Sequence, residues 1–196
     1  PYFDECIIRK NDYIKNSPFY KDHRDVLDQS YYGTAFKPLG FYEILRTMDD
    51  GDFVLWADSN HIVINDPQPI IDSTLNTGIF ARDHWNIVYT NAQWTLRNTF
   101  VNMNCDEERY WYSHHLHANI IAMIKNDFSM KFSEDFLNNA LNYNVMFGVG
   151  SYNNNFPEFV EHRNEQSIFS ILIEKYKIPY YSYPYQIVPE IDVICL

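Results

Sequence analysis

The stretch FVLWADSNHIV, residues 53–63, decides the fold prediction, because an unbroken apolar run ends abruptly in polar residues. Such a run is typical of a strand that is covered on both faces of a sheet. Asp58, Ser59, Asn60 and His61 follow it at once. Open α/β sheets bind ligands at the carboxyl ends of their strands, so the sequence predicts a metal or phosphate site here. The alternative, in which Asp58 only caps a turn, stays open at this point.

Helix and strand patterns alternate around this stretch. Residues 41–49 (FYEILRTMD) have helical spacing, and the later segments IIDS and GIFA predict a helix start followed by a strand. Residues 5–9 (ECIIR) predict a short strand, and residues 163–176 form the clearest amphipathic helix pattern. This order predicts an α/β fold with a mainly parallel central sheet flanked by helices, in a single domain over residues 1–196.

Two further segments have helical patterns. NAQWTLRNTFVNM, residues 91–103, fits an amphipathic helix. The second segment, SEDFLNNALNYNV, opens with Ser133 as the expected N-cap and continues with Phe136, Leu137 and Leu141 at helical spacing. We therefore expect helices to surround the sheet along most of the chain.

Composition and charge limit the possible functions. The 196 residues are 46% hydrophobic, which suffices for one substantial core, and the net charge is −11. So acidic a chain lacks the basic surface of a non-specific nucleic-acid binder or of a protein that binds anionic membranes. It has no apolar run of transmembrane length and no signal peptide pattern, and its three cysteines have no metal or disulfide spacing. We therefore expect a cytoplasmic protein without a membrane segment.

A second polar cluster, EHRNEQ at residues 161–166, precedes the last helix pattern. A helix N-terminus attracts anions, His162 could ligate a metal, and Glu161 or Glu165 could take a proton. The alternative is structural. In that case Glu165 makes first-turn capping contacts, and Arg163 is a solvated surface charge.

Three histidines, His114, His115 and His117, lie close together near Trp111. Zinc is the disfavoured interpretation, because neighbouring histidines point in different directions on a helix or a strand. A packing role, or a role in stacking against a sugar, fits these residues better.

Three ordered blocks of the sequence resemble a known family. The blocks are GTAFKPLGFYEILRTMDDGDFVLWADSN (33–60), WTLRNTFVNM (94–103) and FVEHRNEQSIFSILIEKY (159–176). Together they resemble small nucleotide-sugar glycosyltransferases of the GT-A type, over about residues 3–178. The chain is also similar to glycosyltransferase domains encoded by large algal viruses, which would place it in a host cytoplasm. The resemblance implies a Rossmann-like GT-A fold.

The resemblance implies a metal site at the first polar cluster. Asp58 corresponds to the first acid of a DxD-like motif, which binds Mn²⁺ or Mg²⁺ together with the donor diphosphate. Asn60 stands where the second acid usually is, so it would bind the metal or the ribose through its amide oxygen. Ser59 lies between them and is expected to contact the nucleotide.

Further site residues follow from the other blocks of the resemblance. Lys37 matches the lysine of a W-K-P segment and is expected to contact the diphosphate or the sugar. His162 and Arg163 match an H-R pair, with metal ligation and diphosphate contact as their implied roles. Glu165 replaces an aspartate, and Glu161 or Glu165 is the expected base if the enzyme inverts the anomeric configuration.

The beginning of the chain looks like the second strand of such a fold. On a typical βαβ allowance, about 20 to 30 residues with the first strand and helix are expected to precede it. Asn11, Asp12 and Tyr13, at the end of the predicted 5–9 strand, are then the expected contacts to the nucleotide base.

The expected function is transfer of a hexose from a UDP-sugar to a glycan or glycoprotein acceptor, with Mn²⁺ or Mg²⁺ as cofactor. UDP-glucose is one such donor. The alternative is a module that binds carbohydrate or nucleotide-sugar without catalysis, because D-S-N is a weakened motif. A nucleotidyltransferase is less consistent with the sequence, which has no glycine-rich phosphate loop.

Overall fold

The computed structural model describes residues 3–8, 12–29, 35–58, 61, 63, 66–84 and 87–182. The helices in these ranges lie before, between and after the strands, and their lengths vary from one turn to four. In chain order they are α1 (Asp12–Asn16), α2 (Arg24–Leu27), α3 (Phe36–Leu45), α4 (Gln68–Thr77), α5 (Asn91–Trp94), α6 (Arg97–Asn102), α7 (Glu108–Trp111), α8 (Asp127–Leu141), α9 (Tyr143–Met146) and α10 (Glu165–Tyr176).

The strands of the described residues form one antiparallel sheet. They are β1 (Phe53–Ala57), β2 (Ile79–Arg82) and β3 (His117–Ile124), in the order β1-β3-β2. The prediction of a mainly parallel, Rossmann-like sheet is therefore wrong for the part of the chain that is described. The mixed helix and strand composition is confirmed.

The position of β3 explains the error. β3 inserts between β1 and β2 and runs opposite to both, so β1 is an edge strand of the described sheet rather than its centre. β1 is only half-buried along its length, whereas five of the eight β3 residues in succession, 120–124, are buried. An apolar run such as β1 indicates that both faces are covered, but it does not identify the neighbouring strands.

Both faces of the sheet carry apolar contacts. Alternate residues of a strand point to opposite faces. Ile121 and Met123 of β3 belong to the main core, which α3, α8 and α10 help to form. Ile120, on the other face, belongs to a smaller cluster with Ile70 of α4 and Phe80 of β2. The sheet is therefore sandwiched between helices.

The sheet order still brings strand ends together. β1 and β2 each pair antiparallel to β3, so they run parallel to one another. Ala57 at the end of β1 is opposite Ile120, and Arg82 at the end of β2 is opposite His117. The carboxyl ends of both outer strands therefore lie at the edge of the sheet where β3 begins.

Several local predictions agree with the structure. β1, β2 and α10 lie where their patterns placed them, and α4 contains the IIDS segment. The helix expected over 41–49 begins earlier, at Phe36, and ends at Leu45. The helix expected over 91–103 is interrupted, because Thr95 and Leu96 are extended between α5 and α6.

Other local predictions are wrong. Residues 5–8 of the predicted strand have no regular structure, and Arg9 lies outside the described residues. Ser133 is not an N-cap but a buried residue within α8. The helix begins earlier because Asn126 provides a full capping box, in which its side chain accepts from the Ser129 amide at 2.8 Å. That cap satisfies a backbone donor that has no partner within the helix.

No helix in the described ranges is both long enough and apolar enough to cross a membrane.

Candidate functional site

The side chain of Lys37 joins residues from three distant segments. Lys37 is the second residue of α3 and is buried, and its Nζ lies 3.2 Å from Oδ1 of Asp58 and 3.3 Å from Oε1 of Glu165. It also donates to the carbonyl oxygen of Ala118 at 2.6 Å. The structure thus brings together three of the residues that the sequence analysis proposed for the site.

Charge balance explains why this arrangement can be buried. A buried cation is tolerated when opposite charges and hydrogen bonds replace its water shell. Lys37 has both kinds of partner. Burial raises the pKa of Glu165, although the neighbouring Lys37 ammonium opposes that rise. The ionised form of Glu165 therefore depends on the neighbouring Lys37 ammonium.

Asp58 lies directly after β1, and its carboxylate is partly exposed. Its carbonyl oxygen accepts from the amide of His61 at 2.9 Å, and its own amide donates to the carbonyl oxygen of Asn119 at 3.0 Å. Its Oδ1 also accepts from Nε1 of Trp56 at 2.9 Å, and about a third of the side chain (36%) is exposed. The described contacts of the Asp58 carboxylate are thus the side chains of Trp56 and Lys37, not the backbone amide that a turn cap would bind.

Next to Asp58, hydrogen bonds join the side chains of Arg82, Asn119 and His61, which we call the polar network. Arg82, at the end of β2, donates to Oδ1 of Asn119 at 3.1 Å, so the amide nitrogen of Asn119 is the donor to Nε2 of His61 at 2.9 Å. Burial lowers the pKa of His61, although Asp58 opposes this. Sequence reasoning missed Arg82 and Asn119. The signal for Arg82 was available, since it directly follows the predicted GIFA strand.

A tight turn points Glu165 toward Lys37. The Gln166 amide donates to the carbonyl oxygen of Arg163 at 3.0 Å, and between them Asn164 has φ 45° and ψ −116°. This backbone region is strained for any residue with a side chain, and such strain is often found at functional sites. The Asn164 side chain compensates in part by donating to the carbonyl oxygen of Met146 at 3.1 Å. Glu165 then becomes the first residue of α10.

Both ring nitrogens of His162 bind backbone atoms. Nδ1 accepts from the amide of Leu96 at 3.3 Å, and Nε2 donates to the carbonyl oxygen of Met146 at 2.9 Å. Burial lowers the pKa of His162 to about 4, so the ring is neutral near pH 7. In this geometry neither nitrogen has a lone pair available for a metal. The arrangement supports a structural role, and gives no support to the ligand role that the resemblance implied.

The charged neighbours of Glu165 lie nearer the surface. The Arg163 guanidinium lies 4.9 Å from the centre of the Trp94 ring, and its Nη2 is 3.4 Å from Oε2 of Glu161. The side chains of Arg163 and Glu161 are about half exposed, at 46% and 55%. Glu161 therefore pairs with Arg163 at the surface, whereas Glu165 pairs with Lys37 in the interior.

The expected base-contact residues have a different setting from the one predicted. Asp12 and Tyr13 begin α1 rather than ending a strand, since no strand forms over residues 5–8. The Tyr13 hydroxyl donates to the carbonyl oxygen of Phe36 at the start of α3. Asn11 lies outside the described residues, as do Ser59 and Asn60 beside Asp58. Their expected contacts remain predictions.

The candidate metal site depends on Asp58. Within the described ranges, no three His, Cys, Asp or Glu side chains are grouped in a way that could hold a metal ion. Asp58 nevertheless suits a hard cation, because it is a partly exposed carboxylate whose described contacts all fall on Oδ1. Mg²⁺ commonly binds to one or two carboxylates and completes its shell with water and substrate phosphates. Mn²⁺ or Mg²⁺ at this position would therefore be held by Asp58 and the donor.

Three histidine rings lie beside the polar network, and we call them the imidazole cluster. They are His84, His115 and His117. The ring centres of His84 and His117 are 3.6 Å apart, and those of His84 and His115 are 6.2 Å apart. Burial lowers the pKa of His84 to about 4 and that of His117 to about 3, and holds the pKa of His115 far below its usual value. All three rings are therefore neutral near pH 7.

The imidazole cluster differs from the histidine group that the sequence suggested. His114 is not a member, because its ring stacks near Tyr180, with 5.2 Å between centres. His84 takes its place, although it is about thirty residues away in the sequence.

Compared with protein-family models, with curated proteins and with solved structures, the chain gives no match.

Proposed function

We propose that this chain is a metal-assisted glycosyltransferase that moves a hexose from a UDP-sugar to a glycan or glycoprotein acceptor. The supporting observation is the meeting of Lys37, Asp58 and Glu165 at one buried nitrogen. Lys37 and Asp58 belong to the FKP and DSN segments of the first sequence block that resembles GT-A glycosyltransferases. Glu165 belongs to the HRNEQS segment of the third block. What supports the proposal is that candidates predicted from distant segments lie together at the end of β1.

Positive charge at this edge would stabilise the leaving group. When the sugar C1–O bond breaks, negative charge builds up on the departing diphosphate. Asp58 would hold a divalent cation, which would neutralise part of that charge. Arg163 is partly exposed and can contact a phosphate directly, whereas the Nζ of Lys37 is already bound to two carboxylates. Lys37 therefore acts mainly by positioning Asp58.

The two candidate bases differ in accessibility. Glu165 is buried against Lys37, a setting that favours a positioning role. Glu161 is more than half exposed and pairs with Arg163, so an acceptor hydroxyl could reach it. If the reaction inverts the anomeric configuration, Glu161 is the better placed of the two to take the acceptor's proton.

Ligand-induced stabilisation tests the donor and metal assignments. The melting temperature would be measured with UDP, UDP-glucose and GDP-mannose, each with and without Mn²⁺, since a ligand that binds only the folded state raises it. We expect a Mn²⁺-dependent rise with the uridine ligands, abolished in Asp58→Ala. Asp50→Ala is the matched control, because Asp50 is an exposed aspartate near the opposite end of β1. A shift that persists unchanged in Asp58→Ala would contradict the metal assignment.

Catalysis is tested separately from binding. The chain would be incubated with UDP-glucose and Mn²⁺, and release of UDP would be followed with and without a panel of glycan acceptors. Transfer or donor hydrolysis that is lost in Asp58→Ala supports the proposal. Tight binding without any turnover would favour the non-catalytic module instead.

A further inference from the structure

Three buried ring nitrogens next to the candidate site have no hydrogen-bond partner. They are Nε2 of His84, Nε2 of His115 and Nε1 of Trp94, and the statement covers the part of the chain that the structure describes. Native proteins keep few buried polar atoms unsatisfied, because each one loses its bonds to water without replacement. Three such atoms among neighbouring rings therefore need polar partners from outside the described side chains, which ordered water or a polar ligand can supply.

The hydrogen-bond network defines what His115 can offer. The amide nitrogen of Asn91 donates to Oγ of Ser113 at 2.9 Å and to the carbonyl oxygen of Tyr110 at 3.3 Å, so Oδ1 of Asn91 must be an acceptor. That Oδ1 lies 3.0 Å from Nδ1 of His115, which therefore carries the hydrogen. In a neutral ring the other nitrogen is then an acceptor. His115 is 2% exposed, and its Nε2 is a buried lone pair.

Trp94 supplies the complementary group. Its ring lies 6.3 Å from that of His115, centre to centre, and indole Nε1 can only donate. A phosphate or carboxylate could accept from Trp94 but could not donate to His115. A cation without acceptor groups could not satisfy Trp94. A hydroxyl group can do both, so the ligand chemistry that fits best is a neutral compound with several hydroxyl groups.

The position of these rings suits a sugar next to the diphosphate site. Arg82 is opposite His117 in the sheet, and it binds Asn119, which in turn binds His61 beside Asp58. His84, His117 and Trp94 are each partly exposed, so the group reaches the surface.

We propose that the imidazole cluster and Trp94 form a sugar subsite, in which His115 accepts a hydrogen bond from a sugar hydroxyl and Trp94 donates one. The subsite deepens the proposed transfer function, on which its biological role rests. The hydroxyl groups belong either to the donor's hexose or to the acceptor glycan.

Variants that keep an aromatic ring and remove the unpartnered nitrogen test the subsite. Trp94→Phe removes Nε1 and His84→Phe removes Nε2, which have no partner among the described residues, so each variant should fold with normal circular dichroism. His114→Phe is the matched control, because this neighbouring ring stacks near Tyr180 instead. Affinities would be measured by titration calorimetry for UDP, UDP-glucose, UDP-galactose and the methyl glycosides of glucose and galactose, all with Mn²⁺.

The two sources of the sugar give different results. If the donor's hexose binds here, the advantage of a UDP-sugar over UDP falls roughly ten-fold in Trp94→Phe and His84→Phe. The affinity for UDP itself stays unchanged in His84→Phe, which does not alter the ring packed against Arg163. If the acceptor binds here, the affinity for a methyl glycoside falls by a similar factor and the UDP-sugar affinities do not change. In both cases His114→Phe behaves like the unmodified chain.

Two results would overturn the subsite. One is that the unmodified chain binds no methyl glycoside and binds no UDP-sugar more tightly than UDP. The other is a pair of folded variants, Trp94→Phe and His84→Phe, with every sugar affinity unchanged. Failure of the transfer proposal is recognised differently, as a lack of UDP binding that depends on Asp58 or as a lack of any sugar transfer. A methyl glycoside that still binds in that case, and depends on Trp94, supports the subsite alone.

Discussion

Lys37 is the residue whose replacement should affect folding most directly. Lys37→Met removes the ammonium but leaves Glu165 buried without its cation, and breaking a buried ion pair in this way costs about 3–5 kcal/mol. Urea unfolding would measure the loss. Lys131→Met is the control, because Lys131 is exposed and its pairs with Glu134 and Asp135 lie on the surface, where such pairs contribute about 0–1 kcal/mol. Equal effects of the two substitutions would contradict the buried ion pair.

The double variant Lys37→Met with Glu165→Gln separates lost charge from lost packing. Since the second substitution removes the charge that the first leaves uncompensated, the two changes should not be additive. We expect the double variant to be more stable than Lys37→Met alone.

His162 should make the fold sensitive to acid. Its pKa is about 4 in the folded chain and near 6.5 when unfolded, so the unfolded state binds more protons between these values. The contribution of the buried, neutral His162 ring to the free energy of unfolding is therefore fully present above pH 6.5 and is lost as the pH falls through about 4. His162→Gln keeps a side-chain donor and acceptor but cannot titrate. Comparing urea unfolding of both chains at pH 7, 5.5 and 4.5 should show a smaller loss for the variant, and parallel curves would contradict this assignment.

At the scale of single elements, the start of α8 gives a direct test of the corrected helix boundary. Asn126→Ala removes a cap and should cost about 1 kcal/mol. Ser133→Ala should instead be neutral or slightly stabilising, because Oγ of Ser133 is buried without a partner and alanine is the better helix former. Thermal or urea unfolding measures both. If Ser133 were the N-cap, the two effects would be reversed.

The turn before α10 is a second element whose backbone can be tested. Asn164→Gly relieves the positive φ but loses the bond to Met146, so its net effect should be within about 1 kcal/mol. Asn164→Ala keeps the strain and loses the bond, and it should cost about 0.5–1.5 kcal/mol. Unfolding curves that show the glycine variant to be the less stable would contradict the strained geometry.

At the scale of the whole molecule, local sequence patterns predict the helices and strands better than they predict which strands pair with each other. α10 and β1 could be predicted because apolar spacing and turn residues mark them in the sequence itself. The order β1-β3-β2 could not, since it depends on how the long segment between β2 and β3 returns to the sheet. Spacing alone gives no register between strands that are far apart in the sequence.

The candidate site was predictable in part for the same reason. The clusters around Asp58 and Glu165 stand out in the sequence, and the resemblance adds Lys37. Their contact at one nitrogen is a tertiary fact, and so is the replacement of His114 by His84 in the imidazole cluster. His162 shows the opposite limit, because its residue type suggests chemistry while its burial gives it backbone partners.

The buried ammonium of Lys37 also has a mechanical consequence. An ammonium has three N–H groups, and three oxygen atoms, from Asp58, Glu165 and Ala118, lie within bonding distance of it. One atom thus ties the end of β1 to the first turn of α10, although more than half of the chain separates these segments. A displacement of Asp58 would therefore disturb the contact that Lys37 makes with Glu165 at the start of α10.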